Sequence, residues 1–184
     1  MQLLSILAIA LSVSGTAFAA VQCDDKRTIS QSFIGKDKDV SVEVAQCSNF
    51  ITPASVAGSD DSILQKRQDD VCGAPCTTNC FTPSGGGPDP NDCEVISDAI
   101  LYDSQNVGPL FTMDPAQNTS MIVMTYLSCE TFILNQAATP LQYCRSDWAS
   151  LVDYVALNCQ STQNAHGGNC VADDQRWFIQ VQIS

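Results

Sequence analysis

The sequence predicts a small, disulfide-rich α+β sandwich in which two helices pack on an antiparallel sheet. Ten cysteines in 184 residues are the first observation behind this prediction. The second is apolar residues at helical spacing in two segments. The third is apolar or alternating stretches typical of strands, in the order helix, two strands, helix, strand.

The N-terminus has the pattern of a secretion signal. Residues 3–13 form an apolar run that is too short to span a bilayer, and the small-residue site Ala17-Phe18-Ala19 follows it. We therefore predict a signal peptide over residues 1–19, with cleavage after Ala19. No later apolar stretch has the length of a spanning helix, so a secreted, extracellular protein without a membrane span is expected.

A dibasic pair divides the remaining chain. Lys66-Arg67 follows a small, polar stretch at residues 54–61, which predicts an exposed linker and cutting by a kexin-type processing protease of the secretory pathway. Residues 20–67 would be a propeptide, or an N-terminal hairpin that stays attached. Within them, valines alternate with polar residues over 39–46, which predicts one half-buried strand. Residues 68–184 would be the mature cysteine-rich α+β domain.

The cysteines divide evenly about the dibasic pair, so each piece can close its own disulfides. Before the pair lie Cys23 and Cys47; after it lie Cys72, Cys76, Cys80, Cys93, Cys129, Cys144, Cys159 and Cys170. An oxidising compartment favours bridges over zinc, because the crowded triplet at 72, 76 and 80 lacks a second ligand cluster. The sequence indicates neither a metal nor a cofactor, and it leaves the pairing open.

The elements of the mature domain follow from local signals. Prolines, glycines and cysteines over residues 71–92 predict a loop. Asp89 as N-cap and Pro90 at the first helical position predict a helix that ends near residues 106–109. Residues 121–127 predict a buried central strand, and residues 130–134 the next strand after a bend near Ser128.

The second half completes the sandwich. Ser146 is the expected N-cap of the second helix, and a polar loop is expected over residues 160–169. Residues 177–183 alternate apolar and polar side chains, which predicts a terminal strand buried on one face only. The apolar side chains that we expect on the buried face of the second helix are Trp148, Leu151, Val152, Val155 and Cys159.

The mature domain is strongly acidic, since Arg145 and Arg176 are its only cations against thirteen Asp and Glu. This charge argues against nucleic acid or anionic lipid as the main partner, because both need a basic surface.

One polar loop is the candidate ligand site. Asn164, His166 and Asn169 offer amide and imidazole groups to a sugar, and Trp177 could stack on it, although a tryptophan there is more typical of a core. His166 is also the only possible imidazole base, but no nucleophile-elbow pattern accompanies it, so no catalytic residue is predicted.

Two further motifs have weaker interpretations. The acidic pairs at 69–70 and 173–174 lack calcium-loop spacing and are expected to be solvated. Asn118 begins the one glycosylation sequon, which would lie in an exposed loop if a glycan is attached.

Residues 91–170 resemble the fungal extracellular cysteine-rich effectors related to virally encoded killer toxins. The matching motifs are Asn91-Asp92-Cys93, Leu127-Ser128-Cys129, the helix at 147–155 and Gly167-Gly168-Asn169-Cys170. Small mushroom glycan-binding proteins of α/β/α design are also similar. These resemblances imply a non-enzymatic secreted protein that acts on another organism or on surface sugars, and they assign no functional residue.

The expected function is therefore that of a secreted, non-enzymatic effector or toxin-like virulence protein, released by kexin-type processing. Its partner would be a surface protein or glycan of a host or competitor. Two alternatives remain: a glycan-binding module with the His166 loop as its recognition edge, and a small extracellular hydrolase that uses His166.

Overall fold

A seven-stranded antiparallel sheet forms the centre of the computed structural model, which describes residues 20–47 and 69–184. The predicted signal peptide with Ala19, the linker at 54–61 and the dibasic pair Lys66-Arg67 lie outside the described residues. The strands are β1 Arg27–Ile34, β2 Val40–Gln46, β3 Asp69–Asp70, β4 Cys76–Cys80, β5 Leu110–Met113, β6 Met121–Tyr126, β7 Cys129–Asn135, β8 Leu141–Cys144, β9 Gly168–Ala172 and β10 Trp177–Ile183. The helices are α1 Pro90–Val107 and α2 Arg145–Asn158.

The large sheet has the strand order β1-β2-β6-β7-β10-β9-β4, and β3, β8 and β5 form a small second sheet. The helices pack against each other and on one face of the large sheet, where the main apolar core lies. The predicted α+β class, with two helices on an antiparallel sheet and disulfides throughout, is confirmed. Neither helix in the described ranges is long and apolar enough to cross a membrane.

Helix α1 begins as its sequence predicts. Asp89 accepts a hydrogen bond from the backbone N–H of Asn91, and Pro90 occupies the first helical position. Gly108 ends the helix with φ of 103°, a conformation that a side chain would disfavour. The buried residues of α1 include Cys93, Ile96, Ala99 and Ile100.

Helix α2 starts two residues earlier than predicted, at Arg145 with Cys144 as its N-cap, so the expected N-cap role of Ser146 is wrong. Strand β8 runs directly into this helix, and the backbone N–H of Arg145 donates to the carbonyl of Pro109 at 2.8 Å. The helix has no side-chain cap, and this bond satisfies one of the donors of its first turn. The apolar face of α2 is buried as expected, although Leu151 is only partly buried.

The last strand differs most from its prediction. Strand β10 lies in the interior of the sheet, between β7 and β9, and is buried on both faces. Gln180 is 0% exposed because residues near Val21 cover the face opposite the helices. Its amide donates to the carbonyl of Val21 and accepts from the N–H of Val21, both at 3.0 Å. Gln180, although polar, therefore occupies a buried hydrogen-bonding position and does not face solvent.

Two predicted loops contain strands. Strand β4 lies inside the expected loop over 71–92 and pairs with β9, which begins inside the expected loop over 160–169. Cys76 and Cys80 mark the two ends of β4, and each forms a disulfide. The bridges hold an edge strand whose own sequence, rich in Thr and Asn, has little apolar surface to bury.

A second, smaller apolar cluster covers the face of the sheet opposite the helices. It combines side chains from β2, β6, β7 and β10, and the N-terminal residues Val21 and Cys23 pack on it. Both faces of the sheet therefore depend on residues from the N-terminal part of the chain.

Candidate functional site

All ten cysteines pair in five disulfides, which confirms the predicted scaffold. The bridges are Cys23–Cys47, Cys72–Cys144, Cys76–Cys170, Cys80–Cys159 and Cys93–Cys129. No bridge joins residues 20–47 to residues 69–184. The crowded triplet sends each of its members to a different partner, so its spacing reflects bridging and not zinc ligation. Asp25 lies beside Cys23 and Cys47, whose sulfurs are committed to their bridge.

Trp177 cannot stack on a sugar, because it is 0% exposed. Its ring lies 4.7 Å from that of Tyr143 within the main core. Burial raises the pKa of Tyr143 far above its ordinary value, and the nearby charge of Asp147 adds to the effect. Trp177 is therefore a core residue, which was the alternative to a sugar-stacking role.

The polar groups of the predicted ligand loop are used to hold the loop itself. His166 Nδ1 lies 2.6 Å from the carbonyl oxygen of Pro83, and Asn164 accepts a hydrogen bond from the N–H of Ser84 at 3.1 Å. Asn169 is nearly buried and accepts from the side chain of Asn79 at 3.3 Å. These contacts connect the loop to the segment around β4, so the polar side chains of the loop bind other parts of the protein itself.

The acidic pairs are tied to a cation and a hydroxyl. Arg176 Nε lies 2.7 Å from Asp174, and its Nη1 lies 2.9 Å from Asp69. Partial burial acts to raise the pKa of Asp174, but the hydrogen bonds and charge of Arg176 outweigh it and lower the pKa. Asp173 accepts from the hydroxyl of Thr77 at 3.2 Å. Arg176 thus brings together one acid from each pair, Asp69 and Asp174.

The sequon lies at a surface turn. Asn118 is exposed and has a left-handed backbone that ends a short 3₁₀ helix, Pro115–Gln117. Ser120, the last residue of the motif, is fully buried, and its hydroxyl accepts a hydrogen bond from the N–H of Cys47 at 3.2 Å. The position is the exposed loop that glycosylation would require.

In the N-terminal hairpin, β1 and β2, the alternation over 39–46 predicted β2, and an attached hairpin was the alternative to a propeptide; β1 itself was not predicted. Strand β2 pairs with β1 on one side and with β6 on the other, so it joins the hairpin to the central sheet. A short network stabilises the hairpin itself: Glu43 accepts from Lys26 at 2.8 Å and from the hydroxyl of Thr28. Partial burial acts to raise the pKa of Glu43, but these hydrogen bonds and the charge of Lys26 lower it.

A cavity of about 270 Å³ lies where the hairpin meets the helices and the small sheet. Its walls are mostly apolar and include Ile34, Val44, Ile122 and Phe111. The polar end is formed by Arg145, whose Nε lies 3.2 Å from Asp103.

The guanidinium group of Arg145 is fixed by several contacts. Its Nη1 donates to the carbonyls of Gly108 at 2.9 Å and Leu110 at 2.5 Å, and the group lies 5.5 Å from the ring centre of Phe111. Sequence reasoning missed this cavity because its lining comes from elements that are far apart along the chain.

Comparison with known proteins identifies no relative: no protein-family model, curated protein or solved structure matches the chain.

Proposed function

We propose that the protein is a secreted effector or toxin-like ligand that acts without catalysis, outside the cell that makes it. The observation that carries the proposal is the complete pairing of ten cysteines in five bridges. Such a density of disulfides is typical of small proteins that must persist in an oxidising, extracellular medium.

The position of the bridges supports action through a rigid surface. Three of them anchor the cysteines of the segment that precedes α1: Cys72 to the end of β8, Cys76 to β9 and Cys80 to the end of α2. Segments with little apolar surface are thereby fixed in the unbound protein. A surface fixed in this way binds a partner without a large loss of conformational entropy.

Processing at Lys66-Arg67 is the second part of the proposal. No disulfide connects the described residues on either side of this pair, so one cut would leave two pieces, each with intact bridges. The partner is proposed to be a surface protein or glycan of a host or competitor, and the acidic character of residues 68–184 disfavours anionic polymers.

Direct binding is the test of this function. The natural secreted protein is purified, its mass is measured with and without reduction, and its binding to intact target cells is compared with that of a reduced and alkylated sample. Bridge-dependent, saturable binding is expected, and equal binding by both samples would contradict the proposal.

Two comparisons separate the alternatives. Reproducible binding to one class of sugar on a glycan array would favour a lectin. Loss of biological activity in His166→Ala, with retained circular dichroism, would favour a hydrolase. Ser161→Ala is the matched control, because Ser161 is exposed in the same loop.

A further inference from the structure

The N-terminal hairpin is built into the domain as a structural subunit. We infer that, once the chain is cut at Lys66-Arg67, residues 20–67 stay bound to residues 68–184 as a second, non-covalent chain. This inference rests on the proposed processing only for the natural cut. The association itself follows from contacts within the described ranges, and it makes the mature protein a two-chain assembly and not a domain released from a propeptide.

Backbone pairing is the first contact that holds the two pieces together. Strand β2 pairs antiparallel with β6 over five positions, from Ser41 opposite Thr125 to Ala45 opposite Met121. Departure of the hairpin would leave β6 as an open edge strand beside two apolar clusters. Such an edge favours rebinding of the strand that normally covers it.

Apolar burial on both faces of the sheet is the second contact. Val40 is 0% exposed and Val42 is nearly so, and both belong to the main core beneath the helices. Ala45 and Cys47 are fully buried in the smaller cluster on the opposite face. Because the hairpin contributes to two cores at once, its removal would expose apolar surface on both sides of the sheet.

Buried polar groups are the third contact. The fully buried amide of Gln180 exchanges two hydrogen bonds with the backbone of Val21, and the hydroxyl of Ser120 accepts from the N–H of Cys47. Departure of residues 20–47 would break these three hydrogen bonds, and water would have to replace the lost partners. The segment before β1 is therefore held as well as the hairpin.

No ion pair crosses between the two described ranges. Lys26–Glu43 lies within the hairpin, and the pairs made by Arg145 and Arg176 lie within residues 69–184. Association through apolar burial and backbone hydrogen bonds is insensitive to moderate salt, unlike association that depends on exposed charges.

The test separates retention of the hairpin from natural processing. A recognition site for a sequence-specific protease is inserted at residues 54–61, Lys66 and Arg67 are both replaced by Gln, and the folded, oxidised protein is cut in vitro. We expect the two pieces to elute together in gel filtration and to give one mass in native mass spectrometry, also in 1 M NaCl. Denaturant without reductant should separate them. Elution of the short piece by itself under native conditions would overturn the inference.

Matched substitutions locate the contact. Val42→Asp places a charge in the main core and should abolish retention after the cut. Phe33→Asp, on the same hairpin but at a side chain that is 56% exposed, should leave retention unchanged. If Val42→Asp does not fold before cutting, Val42→Ala is compared instead, and a faster release of the short piece than in the parent is expected. Equal release from the Val42 and Phe33 variants would contradict the assigned interface.

A separate measurement addresses the natural cut. Intact mass of the unmodified secreted protein shows whether a chain that begins at Gln68 exists. If it does not, the proposed processing fails, while the engineered cut still decides whether the hairpin is retained.

Discussion

Removing the bridge Cys93–Cys129 tests how far disulfides stabilise this fold. Both cysteines are fully buried, and the bridge joins the first turn of α1 to the start of β7 with a sequence separation of 36 residues. Loop-closure entropy for such a separation corresponds to about 3.8 kcal/mol at 25 °C. The bridge Cys72–Cys144 encloses the same stretch and already restricts it in the unfolded chain, so the value for Cys93→Ala/Cys129→Ala is expected at about 3 kcal/mol.

The assay is guanidinium unfolding followed by circular dichroism, with thermal unfolding beside it. A loss of about 3 kcal/mol lowers the melting temperature of a protein of this size by roughly 6–12 °C. The denaturant slope m should rise, because the unfolded chain expands when a crosslink is removed. A loss below about 1 kcal/mol would refute the entropic reasoning. A large loss with an unchanged slope would instead assign the effect to native packing around the sulfurs.

Three further predictions concern stability. Val40→Ala should lower the free energy of unfolding of the uncut protein by about 2 kcal/mol. Phe33→Ala, on the exposed side of the hairpin, should change it by less than about 0.5 kcal/mol. Equal effects of the two substitutions in denaturant unfolding would contradict an integral hairpin. Asp92→Ala should lower the free energy of unfolding by about 1–2 kcal/mol, because Asp92 accepts hydrogen bonds from the N–H of Ser128 at 3.1 Å and from its hydroxyl at 2.6 Å. Restored stability in Asp92→Asn would show that the charge is not required. Burial, with a smaller effect of the nearby Asp147, raises the pKa of Tyr143 above its value of about 10 in the unfolded chain. The stability that the neutral phenol contributes is therefore fully present below pH 10 and is lost as pH rises further. Unfolding midpoints measured from pH 8 to 11 should fall less steeply in Tyr143→Phe than in the parent, and identical slopes would contradict this.

The sequence was informative wherever a local signal agrees with the tertiary structure. The N-cap at Asp89 with Pro90 behind it locates the start of α1, and the continuous apolar run at 121–127 identifies a strand buried on both faces. Leu127 was assigned to that strand but has a left-handed backbone at the turn before β7, and it is exposed. Apolar periodicity alone does not distinguish a strand end from a turn.

Features that depend on distant partners could not be predicted in the same way. Strand β4 has few apolar residues, and its pairing with β9 is fixed by bridges whose connectivity a sequence does not specify. Gln180 looked like a solvent-facing residue, because alternation reports the two faces of a strand and not what covers them. The polar groups of the His166 loop looked available for a ligand, whereas contacts to Pro83 and Ser84 use them.

The interior location of β10 determines the order in which the molecule can be made. This strand is the last of the seven in sequence, yet it separates β7 from β9, so the sheet cannot close while the polypeptide is still emerging. The native partners of Cys76 and Cys80 are likewise synthesised 94 and 79 residues later. Until then, the two cysteines can form a wrong bridge with each other. If Cys76 or Cys80 is oxidised before those native partners appear, it can only join a wrong partner, and native pairing then requires reshuffling, the step that disulfide isomerases catalyse.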